Sequence, residues 1–115
     1  MIDIGYWIQD THPHPNAVDV PEDTLISITF FHEMNSHTLN ARNILILDGN
    51  QGGRLISEHF LYHYESVRRT LIIYLKDDAK RFGPDNDIEV ILTGRIANRR
   101  NERMGVPYHL RFHTR

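Results

Sequence analysis

The chain has 115 residues, of which 40% are hydrophobic and 24% are charged, and its formal net charge is −2. This length suits one domain with a single core, and the composition excludes a disordered, collagen-like or coiled-coil chain. The chain contains no cysteine, which excludes disulfides, thiolate metal sites and cysteine nucleophiles. We therefore expect a single domain over residues 1–115 that is stabilised by packing alone.

The sequence contains no candidate for a membrane span, because no apolar run approaches the ~20 residues that a spanning helix needs. The first seven residues, MIDIGYW, lack a basic start followed by an apolar stretch, so they predict no export signal. We expect no membrane insertion, and composition leaves the compartment open.

The first half of the chain predicts turns and strands. Residues 1–14 are predicted to be an extended lead-in, since Pro13 and Pro15 each fix φ and remove a backbone donor. Residues 24–31 alternate as a strand does, and 43–47 form a compact apolar strand. Between them, residues 35–38 predict a short helical turn, and the Gly-rich segment 48–53 predicts a hairpin.

The second half of the chain also predicts strands separated by turns. Residues 55–65 and 71–75 are predicted to pair as a hairpin through a reversal at 66–69, a single helical turn is predicted near 77–82, and residues 88–93 and 107–113 predict further strands. Alternation assigns one face of these strands to the core. The predicted core residues are Ile26, Ile28, Phe30, Met34, Tyr62, Tyr64, Leu71, Ile73, Val90, Leu92, Leu110 and Phe112.

The segment 94–105 is predicted to be a polar connection before the last strand. It contains Arg95, Arg99, Arg100 and Arg103, a cluster that suits an acidic polymer as well as a solvated loop. Aromatic residues do not interleave with these arginines as they do in single-strand binders, so nucleic acid is not the expected partner.

A pattern of packing and turn residues runs from Pro15 to the last residues. Its parts are Pro15, Ala17, Val20-Pro21, the strand positions Thr24, Ile26, Ile28, Thr29 and Phe30, then Met34, Thr38-Leu39, the strands at 71–75 and 88–94, and Phe112-His113-Thr114. In this pattern the chain resembles the SbsA-type bacterial immunoglobulin-like domains of surface-layer and other cell-envelope proteins. Two positions depart from the family: Arg100 replaces a turn glycine, and Leu75 replaces a proline.

The resemblance implies an all-β fold, an immunoglobulin-like β-sandwich of about seven antiparallel strands. It also implies a noncatalytic structural or adhesive module, a spacer or protein-interaction unit of a larger cell-envelope or phage protein. A protein or a cell-envelope polymer is then the expected partner. The outward-facing apolar residues Phe31, Leu61, Ile72 and Tyr74 are the candidate protein contact.

The alternative function is a histidine-dependent metal-binding module, since the chain has eight histidines. The pair His12 and His14 resembles copper-resistance sandwich proteins, which use a histidine at the mature N-terminus, but neither residue is terminal here. His59 and His63 share a strand face about 13 Å apart, too far for one ion, and His109 and His113 have the same spacing.

The sequence lacks the motifs of a zinc protease, a calcium-binding loop, a phosphate-binding loop and a serine hydrolase. His32 and His37 are five apart and not four as a zinc-protease helix requires, and the turn 85–87 lacks the glutamate that completes a calcium loop. The sequence also contains neither a phosphate-binding loop nor a G-x-S-x-G element. We expect no enzyme activity and assign no catalytic, cofactor-binding or metal-ligating residue.

Overall fold

A computed structural model describes residues 7–76 and 82–115. In these residues the chain forms nine strands: β1 (Ile8–His12), β2 (Ala17–Val20), β3 (Ile26–Phe30), β4 (Ile44–Asp48), β5 (Arg54–Leu55), β6 (Phe60–Glu65), β7 (Thr70–Leu75), β8 (Asp87–Leu92) and β9 (Tyr108–Thr114). Short 3₁₀ helices at Ser36–Thr38, Gly49–Gln51 and Ser57–His59 lie between strands in the described part of the chain. Within the described residues, no helix is long and apolar enough to cross a membrane.

The strands form two sheets. One has four strands in the order β1-β3-β7-β6, and the other has five in the order β2-β9-β8-β4-β5. Apolar residues from both sheets form one core, which confirms the predicted all-β sandwich. The sandwich differs in detail from the predicted one of about seven antiparallel strands. The described residues contain nine strands, and β2 runs parallel to β9.

Part of the predicted lead-in belongs to a sheet. Residues 8–12 form β1, which pairs antiparallel with β3 through Ile8 opposite Phe30 and His12 opposite Ser27. Trp7, Ile8 and Thr11 are buried. The prolines begin only after β1 ends, and β1 is an edge strand, so they remove no donor from the interior of the sheet.

The core faces agree with the predicted alternation. Ile26, Ile28 and Phe30 are fully buried, and Met34 is buried beside them. Leu71, Ile73, Val90, Leu92, Leu110 and Phe112 are buried as well, whereas Tyr62 and Tyr64 are only partly buried at the margin of the core. Ile44, Ile46, Ile56, Phe60 and Phe82 complete the packing. The predicted helical turn near 77–82 lies outside the described residues, except for Phe82.

Residues 94–105 do connect β8 to β9 with exposed arginines, but the prediction that this connection is polar throughout is wrong. Ile96 and Met104 are fully buried, and Ala97 pairs with Arg103 in an isolated bridge. Asn98 shapes the turn between them: its Oδ1 accepts hydrogen bonds from the backbone N–H groups of Arg100 and Glu102, both at 3.0 Å. The segment is therefore a folded corner that buries its apolar residues.

The left-handed position of this corner is occupied by asparagine. Asn101 has φ of 62°, whereas Arg100, at the position where the resemblance implies a turn glycine, has no positive φ. Asparagine tolerates the left-handed region better than most residues do. Arg100 therefore causes no backbone strain at its position.

Candidate binding surfaces

Charged residues divide between the two ends of the sandwich. At one end the segments 31–43, 65–70 and 93–107 meet: the N–H of Arg99 donates to the carbonyl of Glu33 at 2.9 Å, and that of Thr93 donates to Asn43 at 3.0 Å. These segments contain seven arginines and three glutamates, with no lysine or aspartate. We call this the arginine end; its arginines are Arg42, Arg68, Arg69, Arg95, Arg99, Arg100 and Arg103.

The opposite end is built from segments 13–25, 48–59 and 82–87, together with the end of β9. The N–H of Phe82 donates to the carbonyl of Glu22 at 3.2 Å, and that of Asp85 donates to Arg115 at 3.0 Å. The three segments contain seven carboxylates and one arginine, Arg54. We call this the acidic end; its carboxylates are Asp19, Glu22, Asp23, Asp48, Glu58, Asp85 and Asp87.

Asn86 organises the interior of the acidic end. Its side-chain amide is completely buried and donates to Asp48 Oδ1 at 2.8 Å and to the carbonyl of Phe82 at 2.6 Å. Its Oδ1 accepts from the N–H of Asn50 at 2.9 Å, and its own N–H donates to Thr114 Oγ1 at 2.9 Å. Through its side chain and its backbone, this one residue thus joins the hairpin after β4, the segment before β8 and the end of β9.

The surface beside the acidic end is cross-linked by ion pairs. His113 lies between two carboxylates, with Nδ1 2.7 Å from Asp87 Oδ1 and Nε2 2.6 Å from Asp85 Oδ1. The hydrogen bond to Asp87, followed by that to Asp85, raises the pKa of His113 because both favour the charged imidazolium.

A second ion pair cluster lies on β8 and β9. Glu89 Oε2 is 2.9 Å from His109 Nδ1 and 2.8 Å from Arg111 Nε. The hydrogen bond from His109, with a smaller contribution from Arg111, lowers the pKa of Glu89. The remaining ion pair of the described residues joins Arg115 to Asp19 at 3.7 Å.

The arginine end makes none of the ion pairs found in residues 7–76 and 82–115. Two of its guanidinium groups bind backbone carbonyls, Arg69 that of Phe30 and Arg95 that of Arg42, each at 3.2 Å. All seven arginines are exposed, and five of them donate no side-chain hydrogen bond to another described residue: Arg42, Arg68, Arg99, Arg100 and Arg103.

A polar pocket of about 460 Å³ opens at the arginine end. The Glu33 carboxylate accepts hydrogen bonds at Oε1 from Tyr64 at 3.1 Å and from Ser66 at 2.6 Å. The Tyr64 hydroxyl in turn accepts from the N–H of Met34 at 2.9 Å, and burial raises the pKa of Tyr64. Asn35, Ser36, His37, Arg99 and Asn101 line the rest of the pocket. The sequence did not predict this pocket, since its residues come from three segments distant along the chain.

A second cavity, of about 530 Å³, lies on the outer face of the five-stranded sheet. Val18 and Leu47 form apolar parts of its wall, and its charged groups include Glu89, Arg111 and His113. These charged groups already bind partners within the domain, so this cavity offers fewer free hydrogen-bonding groups than the pocket at the arginine end.

The histidines are dispersed. Among the residues that the structure describes, no group of three or more His, Cys, Asp or Glu side chains could hold a metal ion. His12 and His14 are exposed near the acidic end, while His109 and His113 bind separate carboxylates. In the predicted solvated turn 85–87, Asp85 and Asp87 are exposed, but Asn86 is buried.

The candidate protein contact is only partly contiguous. On the outer face of the four-stranded sheet Leu61 lies opposite Tyr74, and Ile72 lies opposite His63 on the next row. Leu61 is 42% exposed and Phe31 is 49% exposed. Phe31 lies past the far end of β3, beyond the Thr29–Thr70 pair, so it stands apart from the other three residues.

Two packed sheets, an uninterrupted core and charged loops at both ends define an immunoglobulin-like β-sandwich domain. A family model described as "Bacterial Ig-like domain" matches residues 5–114, and the chain belongs to this family. The match confirms the predicted bacterial immunoglobulin-like domain; assignment to the SbsA type stays a prediction.

Comparison with solved structures supports the same fold. The crystal structure of CopC from Methylosinus trichosporium OB3b matches with a TM-score of 0.62 and 14% sequence identity, over 94% of this chain and 91% of that chain. At this identity the likeness shows the fold alone. A comparison with curated proteins found no match.

Proposed function

We propose that this domain is a noncatalytic structural or adhesive module, which acts as a spacer or protein-interaction unit of a larger bacterial cell-envelope or phage protein. Family membership supports a structural module, and the path of the chain supports its use as a spacer. At the arginine end the carbonyl of Trp7 accepts from the N–H of Phe31 at 3.0 Å, whereas Arg115 donates to Val20 at the acidic end at 2.9 Å. Domains joined in series through these two ends would extend along a line.

The single observation that carries the proposal is the way both termini of the fold are bound. The last strand, β9, lies inside its sheet between β2 and β8, so a force applied at Arg115 is distributed over two ladders of hydrogen bonds. β1 binds the other sheet through β3. Both attachment points therefore transmit load into the packed sheets.

A chain with two copies in tandem tests the spacer role. Its maximum dimension by small-angle X-ray scattering should be close to twice that of one copy, whose longest axis is 39 Å. A compact pair with nearly the maximum dimension of one copy would contradict a spacer.

Thermal melting separates the structural module from the metal-binding alternative. A ligand that binds only the folded state raises stability by RT ln(1 + [L]/Kd), so a resident ion would shift the melting temperature. We expect the same melting temperature in EDTA and with calcium, zinc or copper added separately. A shift of many degrees with one ion, abolished by His12→Ala with His14→Ala, would replace our proposal with the metal-binding module.

The protein contact formed by Leu61, Ile72 and Tyr74, with Phe31 apart from them, stays a prediction. Strictly monomeric behaviour at high concentration, together with no partner in a pull-down from envelope extracts, would contradict it.

A further inference from the structure

We propose that the arginine end binds a carboxylate-bearing polysaccharide, with arginines on its carboxylates and the polar pocket on its hydroxyls. This inference assigns a ligand and a site, and so goes beyond a structural role. Three properties of the described residues support it. The arginines of this end carry positive charge without an ion pair among these residues, the pocket is lined by groups that bind hydroxyls, and several carboxylates at the acidic end already bind groups of their own domain.

The positive charge at this end is concentrated, and it makes no ion pair within the described residues. Seven arginines face three glutamates, and Arg42, Arg68, Arg99, Arg100 and Arg103 make no ion pair within the described residues. Two of the glutamates are partly used: Glu102 accepts from the Asn98 side chain at 3.1 Å, and Glu33 accepts from Tyr64 and Ser66. Clustered charge of one sign attracts an oppositely charged polymer over about 8–10 Å at physiological salt.

Arginine is suited to carboxylates because its planar guanidinium group presents a fork of N–H donors that matches two carboxylate oxygens. The folded corner presents Arg99, Arg100 and Arg103 on one short segment, and Arg99 itself lines the pocket. The turn that carries Arg68 and Arg69 begins at Ser66, which also lines the pocket. An acidic chain that crosses the pocket therefore meets arginines from two separate segments.

The pocket itself suits hydroxyl groups. A carboxylate has about four acceptor positions, and Glu33 uses Oε1 for Tyr64 and Ser66, which leaves Oε2 without a partner among the described residues. Asn101 and Ser36 are exposed at the rim with further donors and acceptors. A sugar hydroxyl can donate to Glu33, whereas a phosphate or carboxylate placed there would be repelled.

The same features disfavour nucleic acid. Proteins that bind single strands stack successive bases on aromatic rings. In this pocket the Tyr64 ring is partly buried, and its hydroxyl already takes part in two hydrogen bonds. Glu33 would also face the phosphate backbone.

The acidic end of a second copy is a poorer partner than an acidic polymer. Asp85 and Asp87 bind His113, Asp19 binds Arg115, and Asp48 is buried against Asn86. Fewer of its carboxylates are therefore free to bind the arginines of a neighbouring domain.

A titration of the domain with polygalacturonate, measured by isothermal titration calorimetry, tests the proposal. We expect binding that weakens steeply between about 50 and 200 mM salt, as contacts to a polyanion do. The variant Arg99→Ala, Arg100→Ala, Arg103→Ala should lose affinity about tenfold or more, which corresponds to about 1.4 kcal/mol.

A charge-matched control removes three cations near the acidic end, through Arg54→Ala, Lys76→Ala and Arg115→Ala. It should bind polygalacturonate nearly as tightly as the unaltered domain, and melting curves must show that both triple variants fold. Equal losses in the two variants would overturn the proposal, because net charge alone would then explain the binding.

Glu33→Gln separates the pocket from simple attraction. If Glu33 accepts sugar hydroxyls, this change lowers affinity for polygalacturonate while it raises affinity for polyglutamate, which has carboxylates but no sugar. A rise for both polymers would overturn the role of the pocket. Tighter binding of single-stranded DNA than of polygalacturonate would assign the arginine end to nucleic acid, and salt-dependent self-association without polymer binding would assign it to a second copy.

Discussion

The two ends of this sandwich use polar side chains in different ways. At the acidic end Asn86 is buried in a network that joins three segments, and nearby carboxylates bind His113 and Arg115. At the arginine end five guanidinium groups project from the surface without an ion pair among the described residues. One end uses its polar groups to hold the fold together, and the other leaves its charges available to a partner.

The energetic difference lies mainly in the buried groups. An exposed ion pair contributes only about 0–1 kcal/mol, so the surface pairs near β8 and β9 stabilise the fold modestly. A buried amide that loses its partners costs more, because each unsatisfied group left behind costs about 1–3 kcal/mol. Substituting the buried asparagine of one end and a more exposed asparagine of the other can therefore test the comparison.

The largest effect is expected in the core that both ends share. Phe30→Ala removes a fully buried ring and should lower the free energy of unfolding by about 3–5 kcal/mol, measured by urea denaturation. Its neighbour Phe31 is 49% exposed, so Phe31→Ala should change stability by about 0.5 kcal/mol or less. Equal effects of the two substitutions would show that the core face is wrongly placed.

At the acidic end Asn86→Ala should cost about 3 kcal/mol, because it removes the buried amide that donates to Asp48 Oδ1 and to the carbonyl of Phe82 and accepts from the N–H of Asn50. The corresponding change at the arginine end, Asn35→Ala, removes exposed hydrogen bonds to Asn101 and to the N–H of His37 and should cost about 1 kcal/mol or less. If chemical denaturation showed similar losses of unfolding free energy for both variants, the proposed difference between a structural acidic end and a binding arginine end would be wrong.

Tyr64→Phe measures how much the pocket contributes to stability. The change removes the acceptor of the Met34 N–H and a donor to Glu33, and should cost about 1 kcal/mol. Tyr74→Phe is the control on the next strand, because its hydroxyl makes no hydrogen bond within the described residues; its melting temperature should be unchanged. A loss of 3 kcal/mol or more for Tyr64→Phe would mean that the pocket is a structural element like the Asn86 network.

The smallest effect is expected from His113, and it should depend on pH. The raised pKa of His113 means that the folded state favours the imidazolium. Its contribution to stability is thus fully present below the unfolded pKa of about 6.5, and is lost as the pH rises through the higher folded value. The stability difference between the unaltered domain and His113→Gln should be larger at pH of about 5.5 than at about 8.5.

His59→Gln is the control for that series, since His59 lies exposed outside this ion-pair cluster. Urea midpoints across the pH range provide the measurement. A difference for His113→Gln that stayed constant with pH, or grew as the pH rose, would contradict the charged imidazolium between Asp85 and Asp87.

Local pattern was enough to identify most strands and their buried faces. The side-chain period of a strand is two residues, so Ile26, Ile28 and Phe30 could be assigned to one face without knowledge of any distant residue. The same holds for Leu71 with Ile73 and for the hairpin after β4, whose glycines favour a turn. Family resemblance added the arrangement of these strands as a sandwich.

Contacts between distant segments decided the remainder. The burial of Ile96 and Met104 depends on a corner closed by Asn98, and β1 is a strand because β3 offers it an edge. Likewise, the linear sequence separates Glu33, Ser66 and Arg99, and only the packing of three loops brings them into one pocket. Periodicity reports which face of a segment is apolar, whereas a binding site depends on which segments meet, and that is decided by how the two sheets pack.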